Sequence, residues 1–389
     1  MIENTIVSSQ QLEYEYKRCL GCLKALCSDA CPLHVSPKEF IDLAKKENYT
    51  EAVKAIYDKN PLGLICGLVC PDKFCMKACT RCKIDGAVKI SAIQAGLIQQ
   101  YGNKEISENK IQSNGIKIAV IGSGPAGIGA VWKLLRLGYH VELFEKSSKI
   151  GGSLNLIPDE RLPRHAIDYD YQRIFHSNNF VLHLNTVIRN PEELLSQGFS
   201  GVIVAIGAQE VNNLGIEGEE HIVSYIDYLS NPVKYAFASK VAVIGGGKVA
   251  ADCAFVAHRN KADAIHMLIR RNITDMKISA LEKEELNTYG VEIKPLTRVA
   301  KINKHMNMCA CCLAKTQIIN GDCIDNPDTL VMKENYDLVI KAIGGNRITI
   351  PKNPKIICAG DCQNGATTVV EAVASGVMSA EKLNFNINL

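Results

Sequence analysis

The chain has 389 residues, a net charge of +3 and 22% charged residues. That length holds two to three domains with full cores, and the near-even charge balance argues against a nucleic-acid partner. No apolar run reaches membrane-spanning length and no basic-then-apolar leader is present, so the expectation is a cytoplasmic protein without membrane contact. There is one Trp, Trp132, and few aromatics, too few for a base-stacking surface. Cysteine is the anomaly: there are 16, and nine lie between Cys19 and Cys82. Without an export signal such a cluster points to metal or iron–sulfur ligation rather than to disulfides.

Residues 1–18 read as a polar lead-in helix. Cys19-x2-Cys22-x4-Cys27-x3-Cys31-Pro32 follows, then an amphipathic helical stretch over 37–57, then Cys66-x3-Cys70-Pro71, Cys75, Cys79 and Cys82. Spacings this short let several sulfurs converge from one turn-rich segment. Runs closed by x3-Cys-Pro are the ferredoxin pattern, in which the fourth cysteine serves the other cluster, so two runs imply two 4Fe–4S clusters with interleaved ligands. Structural zinc in paired knuckles is the alternative, less suited to the x3 and x4 spacings. Nine cysteines exceed eight ligand positions, so at least one is not a ligand if two clusters form.

The segments Cys19 to Pro32 and Asn60-Pro-Leu-Gly-Leu-Ile-Cys-Gly-Leu-Val-Cys-Pro71 resemble the N-terminal cluster domain of dihydropyrimidine dehydrogenase. They are similar also to the small subunit of glutamate synthase. The resemblance implies one cluster on Cys19, Cys22, Cys27 and Cys79. It implies a second on Cys31, Cys70, Cys75 and Gln94, with Cys66 not a ligand. Read by itself, Gln94 is a surface glutamine on a helix.

A polar, turn-rich linker at 102–115 leads to Lys117-Ile-Ala-Val-Ile-Gly122-Ser-Gly124-Pro-Ala-Gly127. This is a strand over 118–121, a glycine turn and a helix over 128–137, the order a dinucleotide pyrophosphate needs. A second strand, 139–144, ends in Glu145, whose carboxylate can accept from a ribose hydroxyl. Next comes Ile150-Gly-Gly-Ser153, then Ile157-Pro-Asp-Glu-Arg161-Leu-Pro163. The resemblance places Gly152, Ser153 and Arg161 at FAD; otherwise Arg161 is an ordinary surface cation.

The runs 201–207 and 337–344 echo each other as buried strands ending in glycine turns, where the chain crosses between two nucleotide folds. The second fold opens at Lys240-Val-Ala-Val-Ile-Gly245-Gly-Gly247-Lys-Val-Ala250. Its next strand, 264–269, ends in Arg270-Arg271 rather than an acid. Two guanidiniums suit the 2′-phosphate of NADP, with Lys277 a further cation implied by the resemblance; the plainer reading is a solvated strand end. NADPH is therefore favoured, with NADH possible. The run 306–319 reads as a strand followed by a turn at Asn320-Gly321, so Cys309-Ala-Cys311-Cys312 and Cys323 read as strand residues rather than as a metal site. Near the end, Ile357-Cys-Ala-Gly360-Asp361 is a strand. Gly365-Ala-Thr367-Thr368 then opens a helix over 369–383 whose N–H groups can face a flavin; helix capping explains the threonines equally well.

The expected architecture is α/β: an α-helical iron–sulfur domain (1–110), an FAD domain in two parts (111–212 and 345–389), and an inserted NAD(P)H domain (213–344). The cofactor-binding set comprises Gly122, Gly124, Pro125, Ala126, Gly127, Glu145, Gly152, Ser153, Arg161, Gly360, Asp361, Thr367 and Thr368 for FAD. For the coenzyme fold it comprises Gly245, Gly247, Lys248, Val249, Arg270, Arg271, Lys277, Ala342 and Gly344. Hydride transfer needs orientation rather than an acid or base, so no catalytic residue is assigned. The resemblance implies an electron-input subunit. It would serve a larger catalytic partner of the pyrimidine-reducing type or, alternatively, of the glutamate synthase type. A stand-alone reductase of disulfide type would need a cysteine pair beside the flavin, and no C-x2–4-C pair lies on the flavin-domain helices. A zinc-stabilised binding protein is the remaining class.

Overall fold

The computed structural model describes residues 8–102, 111–208, 211–306, 308–326, 332–347 and 353–388. Most of the expected linker, 103–110, lies outside the described residues. So do the expected boundary at 110, residues 1–7 of the lead-in, and position 307 of the expected strand over 306–319. The chain divides into two compact units. One comprises Met1–Asn155, Asp159–Gln209 and Arg347–Leu389; the other comprises Leu156–Pro158 and Glu210–Asn346.

Among the described residues the first unit opens with six α-helices: α1 (Ser9–Lys17), α2 (Leu26–Asp29), α3 (Pro37–Lys45), α4 (Tyr49–Tyr57), α5 (Gly63–Val69) and α6 (Ile90–Tyr101). The lead-in helix does more than sequence suggested, because it buries Leu12 and Tyr16. The single helix expected over 37–57 is two. Glu47 adopts a left-handed φ of 59°, the Asn48 N–H returns to the Leu43 carbonyl at 3.0 Å and the Glu47 N–H to that of Ala44 at 2.9 Å, which ends α3 in a Schellman motif. Helix α5 is buried at every position and α6 over its first nine, Ile90 to Ile98, so both are core helices.

The first nucleotide fold follows: β1 (Lys117–Ile121), α7 (Pro125–Arg136), β2 (His140–Phe144), α8 (Arg164–Phe175), β3 (Phe180–His183), α9 (Glu192–Ser196) and β4 (Gly201–Val204). The chain then forms the second unit with β5 (Val223–Ser224), α10 (Tyr225–Ser230), β6 (Lys240–Ile244), α11 (Lys248–Arg259), β7 (Ala264–Leu268), α12 (Ala280–Thr288) and β8 (Val291–Lys294). Four antiparallel strands come next, β9 (Thr297–His305), β10 (Met308–Ile319), β11 (Asp322–Asp325) and β12 (Met332–Tyr336), and then β13 (Leu338–Lys341). The first unit is completed by β14 (Ile356–Cys358), α13 (Asp361–Asn364) and α14 (Val369–Ile387).

The first sheet is parallel, in the order β14-β4-β1-β2-β3. Strand order reverses between β1 and β4, the switch point outside whose carboxyl ends ligands bind in open α/β sheets. Helices α7 and α14 pack backbone to backbone: a Cβ at Gly376 would stand 1.9 Å from the Ala126 carbonyl oxygen, and one at Gly129 would stand 2.4 Å from that of Val373. The second sheet, β5-β13-β6-β7-β8, repeats the parallel arrangement, with its switch between β6 and β13. Beside it lies the antiparallel group, in which Asn320 (φ 52°) and Gly321 (φ 87°) make the expected two-residue turn from β10 to β11. Cys309 and Cys311 are buried on β10 among Val299, Ile302 and Leu313. No helix among the described residues is long and apolar enough to cross a membrane.

Candidate cluster and dinucleotide sites

The amino-terminal thiols surround two cavities. Cys19, Cys22, Cys27 and Cys79 line one, with Ala25, Thr80 and Arg81. Cys31, Cys66, Cys70, Cys75 and Gln94 line the other, with Pro32 and Pro71. Pro37 and Ile90 line both, so the two share a wall. Cys82 lines neither; it is exposed and its thiol donates to the Met76 carbonyl. Cys66 is the unexpected presence. It is buried and hydrogen-bonded to the Cys70 thiol.

The Cys66 bond and burial push the Cys70 thiol well up. Burial pushes Cys27 and Cys31 up, and with the neighbouring Cys31 and Cys27 it takes Cys75 to about 12. Such thiols become thiolates only beside cationic metal, so loading these sites releases protons. Among the described residues no three His, Cys, Asp or Glu side chains converge closely enough to hold a single ion. Four sulfurs line each cavity, a donor set that suits a 4Fe–4S cluster.

Gln94 is not the surface glutamine that its sequence context suggests. It is buried, and its Nε2 donates to the Gly63 carbonyl at 2.6 Å. A carbonyl only accepts, so the amide nitrogen must face Gly63, and Oε1 is the end left to ligate.

At the first glycine turn Gly122 has φ 100°, and a Cβ there would lie 2.5 Å from the Ala205 carbonyl oxygen, just past β4. A side chain at this position would both strain the backbone and close the switch point. Pro125 and Ala126 begin α7 directly after Gly124, earlier than the expected start at 128. A Cβ at Gly127 would stand 1.9 Å from the Gly122 carbonyl oxygen, so only glycine lets the helix close on the turn.

Glu145 is buried. Its Oε2 accepts from the Ser123 N–H (2.9 Å) and hydroxyl (2.6 Å), and its Oε1 from the Ser147 N–H (2.8 Å). Burial raises its pKa, but these bonds outweigh that and hold the carboxylate below its usual range. The Ser147 side chain is a fourth donor, so a ribose hydroxyl would have to take the place of a serine hydroxyl. Ser123 also accepts at Oγ from the Gly151 N–H (3.2 Å) and at its carbonyl from Tyr171 Oη (2.8 Å). The Gly151-Gly152 loop is thereby tied to the turn; Gly152 lies so close that a Cβ would sit 3.1 Å from Gly124 Cα. Ser153 is exposed and Arg161 half-buried in the segment that follows.

At the other end of the fold, Gly360 (φ 73°) precedes Asp361, whose Oδ1 accepts from the Thr367 N–H (3.1 Å) and hydroxyl (2.5 Å). Burial lifts the Asp361 carboxyl against those two bonds. Thr368 caps α14 through a reciprocal box with Glu371. Capping thus accounts for Thr368, while Thr367 serves Asp361. Helix α14 runs to Ile387, one turn past the expected end, and Val370 in its first turn lines the cavity of Cys31, Cys70 and Cys75.

The second unit repeats the glycine turn. Gly245 has φ 142°, and a Cβ there would lie 2.3 Å from the Ala342 carbonyl oxygen, with Ala250 beneath. Gly247 caps α11, which begins with Lys248 and Val249; Lys248 pairs with Glu282 at 3.2 Å. The Lys277 N–H donates to the Gly246 carbonyl at 3.0 Å, which brings that cation's backbone to the turn. Arg270, Arg271 and Lys277 are exposed. Gly344 (φ 81°) follows Ala342 past the end of β13.

One pair was overlooked. Cys358 and Cys362, spaced x3, hydrogen-bond each other where β14 meets α13, and Cys362 also donates to the Val204 (3.3 Å) and Ala359 (3.1 Å) carbonyls. The bond from Cys358 lowers the Cys362 thiol to about 7. A reading confined to helices misses it, since Cys358 is on a strand.

Two parallel sheets with reversed strand order at glycine turns, behind a helical thiol-lined region, define a two-dinucleotide reductase with an iron–sulfur domain. The model for pyridine nucleotide-disulphide oxidoreductase matches residues 116–376, and the chain belongs to that family. The model for dihydropyrimidine dehydrogenase domain II, 4Fe-4S cluster, matches residues 3–106. The chain is an NAD(P)H-dependent oxidoreductase. It is 28% identical to the NAD-dependent dihydropyrimidine dehydrogenase subunit PreT of Escherichia coli K12, over 95% of this chain and 93% of the relative. It is 25% identical to the glutamate synthase [NADPH] small chain of the same organism, over 96% of this chain and 91% of the relative. In fold it is similar to FprA of Mycobacterium tuberculosis in complex with NADPH, with a TM-score of 0.61 and 16% identity over 70% of this chain and 85% of that one.

Proposed function

We propose that this chain is an electron-input subunit: it takes hydride from NADPH at the second nucleotide fold and delivers electrons to a separate catalytic subunit, of the pyrimidine-reducing type. FAD bound to the first fold would accept the hydride, and two 4Fe–4S clusters would pass single electrons on. The observation that carries the reading is the sorting of the thiols. Cys19, Cys22, Cys27 and Cys79 share one cavity, and Cys31, Cys70, Cys75 and Gln94 share the other, although the two sets alternate along the chain.

The residues have distinct tasks. Gly122, Gly124 and the start of α7 open the backbone to a pyrophosphate, and Glu145 accepts from ribose in place of one serine hydroxyl. Asp361 and the α14 N-terminus face the flavin, and Val370 on that same turn walls the second cluster cavity. Arg270, Arg271 and Lys277 offer three cations to a 2′-phosphate. The relatives' names point both ways here, one NAD-dependent and one NADPH. Asn60-Pro-Leu-Gly63 and Gln94 favour the pyrimidine-reducing partner over the glutamate synthase type. Anaerobic purification followed by iron, acid-labile sulfide and flavin determination tests the reading. Two clusters and one FAD per chain are expected; flavin without iron overturns it.

The Cys358–Cys362 contact favours a second reading, a dithiol that exchanges electrons with the flavin of a stand-alone reductase. Thiol titration of holoenzyme reduced anaerobically by NADPH separates the two. Gain of two thiols per chain supports the dithiol reading, and no gain removes it.

A further inference from the structure

Asp170 is fully buried in α8, yet it belongs to no sequence motif named above. Its carboxylate accepts from Tyr57 Oη at 2.6 Å, from the Ile65 N–H at 2.9 Å and from the Leu64 N–H at 3.3 Å. The Leu64 N–H belongs to the same peptide group as the Gly63 carbonyl, and that carbonyl accepts the Gln94 amide at 2.6 Å. One peptide plane therefore has the Asp170 carboxyl at its N–H end and Gln94 at its C=O end. When that carboxyl is ionised, its charge polarises the amide and makes the amide oxygen a better acceptor. The neighbouring residue, Tyr171, donates to the Ser123 carbonyl in the first glycine turn at 2.8 Å. Helix α8 thus holds the dinucleotide turn with one residue and the base of α5 with the next.

We propose that Asp170 is a positioning residue for the Gln94 side of the second cluster site. It orients and polarises the Gly63–Leu64 peptide that in turn fixes the Gln94 amide. This rests on the reading of Gln94 as a ligand. Outer partners of metal ligands set ligand orientation and the potential of the site. A fully buried carboxylate with three donors is costly to maintain for packing alone, since an apolar pair of matching shape would serve as well. The titratable and charged groups facing Asp170 are the neutral phenols of Tyr57, Tyr169 and Tyr171 and the cation Arg173, whose guanidinium lies 4.0 Å from the Tyr57 ring centroid.

The test is a redox titration of the anaerobic holoenzyme at about pH 8, where Asp170 is ionised, followed by electron paramagnetic resonance, comparing wild type with Asp170→Asn, Tyr57→Phe and Gln94→Ala. Asp170→Asn is expected to retain FAD and move the midpoint potential of one cluster upward, leaving the other unchanged. Tyr57→Phe keeps the carboxylate on the peptide and is expected to move the same cluster less. It also keeps the proposal open to refutation if the Asn variant does not load, because an unchanged potential in Tyr57→Phe would then overturn it. If Gln94→Ala shifts one cluster and Asp170→Asn shifts none, the positioning role fails while the ligand reading stands. If neither shifts a cluster, both fail.

Discussion

At Glu145, four donors from two serines stand where sequence suggested a carboxylate waiting for ribose. The acid is as much a brace for the turn as a contact for a ligand. Arg271 is the opposite case, an exposed cation whose worth depends on what it meets. Charge-assisted bonds contribute about 1.5–3 kcal/mol, so Arg271→Glu is expected to raise KM for NADPH roughly tenfold or more and to leave that for NADH little changed. Equal losses for both coenzymes would remove the 2′-phosphate role.

Asp170 makes a prediction of its own. Burial, opposed by the bonds from Ile65, Tyr57 and Leu64, raises its folded-state pKa to about 7. The folded chain then holds a proton that the unfolded chain has already released, so this group's contribution is fully present below about pH 4 and lost as pH rises through about 7. Denaturant unfolding of wild type and Asp170→Asn at pH 5 and pH 8 should show a smaller loss of stability with pH in the variant. An equal slope would mean Asp170 does not titrate in that range.

Among elements, the pairing of α7 with α14 matters most, because it joins the turn that opens the first nucleotide fold to the helix that closes it. Gly129 and Gly376 let the two backbones touch. Adding a methyl group there displaces backbone rather than a pliable side chain. Gly376→Ala is expected to destabilise the first unit by about 1–3 kcal/mol and to weaken FAD retention, since Ala126 begins the helix at the turn. Unchanged thermal stability with full flavin content would show that the contact can relax. Helices α3 and α4 carry the opposite lesson: continuous amphipathic periodicity masked a break that only Glu47's left-handed backbone reveals.

On the scale of the whole molecule, the interleaving of cluster ligands predicts independent losses. Cys31→Ser is expected to remove one cluster's iron, about half the total, while NADPH still bleaches the flavin; Cys19→Ser should remove the other half. Loss of all iron from either variant would mean the cavities load as one.

Both glycine turns, their flanking strands and the two cysteine runs were legible because each rests on local geometry. A tight turn, a close backbone approach or a short sulfur spacing is written within a dozen residues. The long-range partners were not. Nothing near Gln94 announces that it is buried against Gly63, nothing near Asp170 announces α5, and Val370 reaches the cluster cavity from the far end of the chain. The sequence by itself determined the order of the folds and the chemistry of their donors. Its family resemblance also sorted the cluster donors into two sets; only the tertiary structure decided which buried groups brace them, because those pairings join residues distant in the chain and are set by how the helices pack rather than by any local pattern.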